Sequence, residues 1–319
     1  MNFFEENKDN IFRTYTDTEL MKDIYNHQNK KGRCYKVLNH FFEPAILACK
    51  SHKGSCTPIE MFKDEEKMAY VNKYIKEHPK TYDSANYWVN LRSYLNIGTR
   101  YGRKVANFSV TQTRDFINSY GKNLRVFDPC AGFGARCLGA VLNGHTYTGI
   151  DINPDIEKGF NQMANWLETK EVINRGDINF IKGGCEVFRP ELKNQFDITI
   201  TITSPPYFNI ERYANDNGAS TRNYDNYGKW FNEFIVPMCD NTIRYLKVGG
   251  VFAINLKNLT KYKLFDDTFD YLKSLDCVEC LGIEDFKVGA KYFYKNTTYN
   301  KEQYKGYKEP IMIFKKIKD

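Results

Sequence analysis

The residues that can do chemistry fall into two groups. In the run VFDPCAGFGARCLGAVLNG (126–144) an apolar strand ends on Asp128, then passes through Gly132 and Gly134 into a helix. Glycines there allow a tight turn and let the backbone approach a ligand at the helix N-terminus. The next apolar run, YTGID, ends on Asp151, about 20 residues past the first acid, where an acid reads the ribose hydroxyls of a bound nucleoside. A nicotinamide dehydrogenase would place a glycine turn and a ribose-reading acid in the same way, so this half alone leaves the nucleoside open. The second group is Ser204, Pro205, Pro206 and Tyr207, which follow the alternating run FDITITIT. Two prolines stiffen the chain and withhold ladder donors, so a carbonyl can turn into a pocket instead of completing a sheet.

Both groups need a scaffold that brings them to one place. From Leu124 onward, short apolar runs (LRVFDPCAGFG, TYTGIDINP, INFIKGG, FDITITITSPPY, GGVFAINLKN and EPIMIFKK) are separated by turns and longer amphipathic segments. Strands alternating with helices imply parallel pairing, so the predicted fold is α/β, a doubly wound, mostly parallel sheet. Ligands of such sheets bind outside the carboxyl ends of the strands, which puts Asp128, Asp151 and Ser204 at one edge. Residues 1–100 read as a helical region, with apolar residues at helical spacing behind the capping residues Thr16 and Asp17, and Thr57 and Pro58. The expected division is a helical region over 1–100, serving target recognition, and an α/β domain over 101–319.

The 46 Lys and Arg against 39 Asp and Glu give a formal charge of +7, which suits a polyanionic partner without requiring one. Nine scattered cysteines, several inside apolar runs, predict reduced thiols and a cytoplasmic protein. Cys277 and Cys280 form an isolated C-x-x-C with no second pair at ligand spacing, so no metal is expected. The sequence has no run long and apolar enough for a membrane span, and the acidic start MNFFEENKDN is unlike a signal peptide.

The chain resembles the S-adenosylmethionine-dependent methyltransferases, whose first motif is an acid followed by a glycine turn such as DPCAGFG. SPPY matches the (D/N/S)-P-P-(Y/F/W) signature of those that methylate exocyclic amino groups of DNA bases. The likeness extends across most of the chain. The segment 103–117, RKVANFSVTQTRDFI, looks like the one that precedes the first motif and closes over the cofactor, with Phe108 inside it. NYGKWFNEFIVPMCDNTIRYLKVGGVFAIN looks like the helix and fifth strand that follow the catalytic loop, Gly249 and Gly250 turning between them.

The resemblance implies S-adenosylmethionine as cofactor. Asp128 and the turn residues Cys130, Ala131, Gly132 and Gly134 would lie against its methionine end, Asp151 on its ribose, Ile152 or Phe127 beside its adenine, and Glu186 as a further contact. It also implies double-stranded DNA as substrate, with the target base extruded because a stacked base hides its amine. The Ser204 hydroxyl and the Pro205 carbonyl would accept the amine N–H bonds, Pro206 would hold the backbone, and Tyr207 would stack on the base. Phe208, Arg212 and Arg222 sit on or beside the polar loop 209–227 as candidate nucleic-acid contacts, and the tail KVGAKYFYKNTTYNKEQYKGYKEP interleaves Lys with Tyr in a way that suits a phosphate backbone.

Ser204 leans toward N4 of cytosine, whereas the motif order leans toward N6 of adenine; cytosine stands slightly ahead. RNA and protein-glutamine acceptors are the alternatives. A C5-cytosine enzyme is disfavoured because it needs a cysteine beside the fourth strand, and the one Pro-Cys pair, Pro129-Cys130, lies in the cofactor turn. No nuclease-like segment accompanies the motifs, so any restriction-modification role would be that of a solitary or phage-type methylase.

Overall fold

The computed structural model describes residues 2–51, 54–97, 100–201, 224–285 and 310–319. Its centre is a seven-stranded sheet of β1 (Arg125–Asp128), β2 (Thr146–Asp151), β3 (Ile178–Lys182), β4 (Phe196–Thr201), β5 (Leu246–Asn255), β6 (Val278–Asp285) and β7 (Pro310–Lys316), in the order β3-β2-β1-β4-β5-β7-β6. The first five strands pair in parallel, while β7 runs antiparallel to both β5 and β6. This is the expected doubly wound, mostly parallel α/β sheet. Val126 pairs with Tyr147 on one side and Ile198 on the other, so the strand order reverses between β1 and β4. A crevice opens at such a reversal, outside the carboxyl ends of the strands.

Alternation along each strand sends neighbouring side chains to opposite faces, and both faces are buried. Val126, Ile198, Val251, Ala253, Ile311 and Ile313 belong to one core; Phe127, Phe196, Phe252, Ile254, Met312 and Phe314 belong to the other. The first face is covered by α7 (Val110–Asn118), α8 (Ala135–Val141) and α9 (Pro154–Thr169), the second by the helices Val236–Tyr245 and Leu264–Ser274.

Residues before 100 are helical as predicted: α1 (Phe3–Ile11), α2 (Asp17–Gln28), α3 (Tyr35–Leu47), α4 (Pro58–Phe62), α5 (Glu65–Glu77) and α6 (Tyr87–Ile97). Thr16 and Thr57 each cap a helix in a reciprocal box with Glu19 and Glu60. Two of these helices serve the sheet: α2 and α3 add Leu20, Ile24, Val37, Leu38 and Phe42 to its first core. α1, α4, α5 and α6 gather around a smaller core containing Phe62 and Tyr94.

The strand β6 was not among the expected runs. A register shift between Cys280 and Gly282 breaks its alternation, and Glu279, Cys280 and Leu281 are not buried, so the pattern never reads as a core strand. The predicted turn at Gly249 and Gly250 is present within β5: Gly249 has φ +88°, and pairing with β4 jumps from Leu246 opposite Phe196 to Val251 opposite Ile198. The helix expected over Trp230–Leu246 contains a wide π turn, Phe231–Ile235, between Tyr227–Trp230 and Val236–Tyr245. Pro237 has no N–H to give to the Glu233 carbonyl four residues back, and the Tyr224 hydroxyl donates to that carbonyl instead, at 3.3 Å.

Candidate active site

The turn after β1 is built around Asp128. Its carboxylate is fully buried, and both oxygens are engaged: Oδ2 accepts Arg136 Nε at 2.6 Å and the Tyr147 hydroxyl at 2.7 Å, while Oδ1 accepts Arg136 Nη2 at 3.2 Å and the Cys130 N–H at 3.3 Å. Arg136 also donates to the Cys130 carbonyl, so one guanidinium ties the strand end, the turn and α8 together. Against the cost of its burial, the Asp128 carboxylate raises the Arg136 pKa. Burial, with Asp128 beside it, pushes the Tyr147 phenol well up, so it remains a donor.

Asp151 closes the opposite side. Its Oδ2 accepts the Gly132 N–H and its Oδ1 the Asn153 N–H, each at 3.0 Å, and the Ala131 N–H donates to the Ile150 carbonyl at 2.8 Å. Burial raises the Asp151 carboxyl above its ordinary range, and the two N–H donors oppose that shift. The glycines are required for different reasons. Gly132 holds φ +56°, where a Cβ would meet only ordinary contacts, Arg136 Nη2 at 3.7 Å and the Cys130 carbonyl at 3.9 Å, so the backbone angle alone calls for glycine. At Gly134, with φ +73°, a Cβ would fall 2.4 Å from the Phe42 ring of α3.

Other predicted residues take mixed positions. Ile152, next to Asp151, is 40% exposed, so its side chain is open to contact with an apolar ligand face. Phe127, by contrast, is fully buried between Phe196 and Tyr245, with ring centroids 5.1 and 5.2 Å away, and belongs to the core. Ala131 is buried beneath the turn. Cys130 places its Sγ 4.0 Å from that of Cys185 in the loop after β3; that contact and burial push the Cys130 thiol well up. Glu186 follows, its carboxylate lying across Gly184. Phe108 packs against the sheet core beside Asn107, whose side chain donates to the Phe133 carbonyl at 3.1 Å. The segment expected to close over the turn thus touches it.

Three residues of the site were not predicted. Arg136 is 3% exposed; its signal was a lone charge inside the otherwise apolar ARCLGAV. Tyr147 looked like a strand aromatic, and nothing in the sequence marked its hydroxyl as a partner for Asp128. Asn241, within a helix of mainly core residues, donates to the Cys185 carbonyl at 3.1 Å and the Glu186 carbonyl at 2.9 Å, pinning the loop that presents both.

Ser204, Pro205, Pro206, Tyr207, Phe208, Arg212 and Arg222 lie outside the described residues, as does the Lys- and Tyr-rich tail up to residue 309. The described chain enters the first of these segments from Thr201, whose backbone pairs with Ile254 at the end of β4, beside β1.

No family model and no curated protein matches the sequence. Among solved structures, the chain is similar to an rRNA methylase from Streptococcus thermophilus (12% identity, TM-score 0.39, covering 67% of this chain and 99% of that one). It is also similar to a TehB-like SAM-dependent methyltransferase from Corynebacterium glutamicum (13%, TM-score 0.38, 78% and 99%). TrmN from Thermus thermophilus is similar as well (11%, TM-score 0.40, 66% and 49%). At such identities and TM-scores these likenesses decide neither activity, substrate nor residue roles.

Among the described residues, no helix is long and apolar enough to cross a membrane.

Proposed function

We propose that this protein is an S-adenosylmethionine-dependent methyltransferase acting on an exocyclic amine of a base in double-stranded DNA, N4 of cytosine ahead of N6 of adenine. The observation that carries the reading is the clamp on Asp151: its two oxygens are oriented by the Gly132 and Asn153 N–H groups, each keeping lone-pair capacity for a ribose hydroxyl. β4 lies at the strand reversal where such folds bind ligands, and SPPY follows it in the sequence.

The donor set suits the cofactor. Asp151 takes the ribose, exposed Ile152 covers one face of the adenine, and Glu186 is a second acceptor on the same side. Asp128, with no oxygen left over, acts as a positioning residue that holds the Cys130–Gly134 backbone for the methionine end. Bound there, the cofactor supplies an electrophilic methyl group.

The amine is a poor nucleophile because its lone pair is delocalised into the ring. Ser204 Oγ and the Pro205 carbonyl accept its N–H bonds and draw the lone pair back onto nitrogen, while Tyr207 holds the extruded base. The helices before residue 100 contribute to target recognition.

The test incubates the full-length protein with methyl-labelled cofactor and duplex DNA, in parallel with RNA, and resolves the nucleosides after digestion. Labelled N4-methylcytosine is expected. N6-methyladenine would move the reading to the adenine enzymes, and label confined to RNA, or in neither, would overturn it. Ser204→Ala should bind cofactor yet lose most of the transfer rate; an unchanged rate removes Ser204 from the mechanism.

A further inference from the structure

Arg13, Arg92 and Lys104 are gathered by their backbone neighbours: Arg92 reaches the Ile11 carbonyl, two residues before Arg13, and the Lys104 N–H is tied to Leu95 on the helix of Arg92. Glu43 on α3 is 1% exposed, and both its oxygens go to Arg13: Arg13 Nε donates to Oε1 at 2.8 Å and the Arg13 N–H to Oε2. Arg92, on α6, donates through Nη2 to the Ile11 carbonyl at a long 3.4 Å and lies 5.9 Å from the Trp88 ring, but its buried Nε has no hydrogen-bond partner. Lys104 follows α6, its backbone N–H tied to the Leu95 carbonyl at 3.0 Å. Among the described residues neither Arg92 nor Lys104 makes an ion pair, Glu43 being taken by Arg13.

The charges act on one another. Burial, followed by Arg13, lowers the Lys104 pKa, with Arg92 adding to the effect and Glu43 opposing it. Burial lowers that of Arg92 too, opposed by Glu43 and aided by Arg13. Partly buried cations in excess of their counter-charge are costly unless an anion joins them.

We propose that Arg13, Arg92 and Lys104 form a phosphate-binding site for the backbone of the DNA substrate. The proposal rests on the reading of this chain as a DNA methyltransferase. A guanidinium fork with a nearby ammonium matches the oxygens of a phosphodiester. The location also fits. Phe42, next to Glu43, packs where Gly134 leaves room, and Asn107, three residues past Lys104, donates to the Phe133 carbonyl. The carboxylate among these cations and Lys104 itself therefore sit on two segments whose neighbouring residues touch the cofactor turn, where a strand flanking an extruded base would pass.

The experiment measures anisotropy of a fluorescent duplex with the full chain between about 50 and 200 mM salt, and cofactor affinity by calorimetry in parallel. Lys104→Gln is expected to weaken duplex binding several-fold and to reduce the slope of log Kobs against log salt by about 0.9, the value for one phosphate contact. Cofactor affinity and thermal midpoint should stay near wild type, and Lys104→Arg should restore the slope. Arg92→Gln should behave alike, and Arg92→Lys, which keeps the charge, should hold the wild-type slope. Unchanged duplex affinity and slope in folded Lys104→Gln would overturn the site, as would a wild type that binds no duplex. A parallel loss of cofactor affinity would also overturn it, reassigning the cluster to the cofactor carboxylate. A wild type that shows the expected slopes but transfers no methyl group to DNA would keep this site and remove the activity assigned above.

Discussion

Arg136, one residue inside α8, reaches back across the turn and grips Asp128 at the end of β1 through both Nε and Nη2, with neither side chain more than 3% exposed. Removing one partner of a buried pair leaves a desolvated charge behind. Arg136→Met should therefore destabilise the protein by about 3–5 kcal/mol, measured by urea unfolding. Asp128→Asn, which strands the Arg136 cation in the same way, should cost a similar amount. A loss under 1 kcal/mol for Arg136→Met would mean that Asp128 is not held as described.

Asp151→Asn should raise the cofactor dissociation constant about 10- to 100-fold while leaving the fold intact, since hydrogen bonds to a charged acceptor contribute about 1.5–3 kcal/mol. Its pH dependence follows from burial. The ionised carboxylate is the acceptor, so affinity is full above the pKa and falls as pH drops through it. Because that pKa is raised, the loss begins at a higher pH than the ordinary value of 3.8 would give. Calorimetry over a pH series checks both, and a curve unchanged in Asp151→Asn would refute the assignment.

Gly134→Ala should be strongly destabilising, by about 2–4 kcal/mol, through a strained positive φ and a clash with Phe42. Combining it with Phe42→Leu should recover part of the loss. Additive destabilisation in the double variant would show that the ring is not the obstacle.

His27 provides a pH test of the helical layer. Its ring is fully buried at the end of α2, and its pKa is lowered to about 4 by burial and then by Arg114, which also donates to the His27 carbonyl at 3.2 Å. The unfolded chain binds the proton at 6.5 and the folded one only near 4, so stability is complete above 6.5 and declines as pH falls between them. The slope should approach 1.4 kcal/mol per pH unit, roughly. The difference between wild type and His27→Gln in urea midpoint across this range isolates the effect; parallel pH curves would contradict it.

The mostly parallel sheet and the strand ends at Asp128 and Asp151 were legible because alternation, glycine turns and terminal acids are local signals. The strands ending on Asp128 and Asp151 were read correctly, and the helical caps at Thr16 and Thr57 fell where the residue types put them. What escaped was non-local. Tyr147 and Arg136 meet Asp128 only after β2 and α8 fold back beside β1, and Asn241 reaches the loop after β3 from a helix more than 50 residues on. β6 escaped for a different reason: its bulge spoils the period that a strand is recognised by.

The ring of Phe42 is wedged against two glycines, Gly134 and Gly159, at both of which a Cβ would lie within 2.6 Å of it. On the ribosome, α3 emerges first, and the second of those glycines arrives more than a third of the chain later. At ordinary synthesis rates Phe42 waits about 10 s for its seat, so the nascent N-terminal helices carry an unsatisfied apolar surface through that interval. Chaperone dependence during translation, and poor refolding of a chain split between α3 and β1, are the costs of tying the turn after β1 to a helix made well before it.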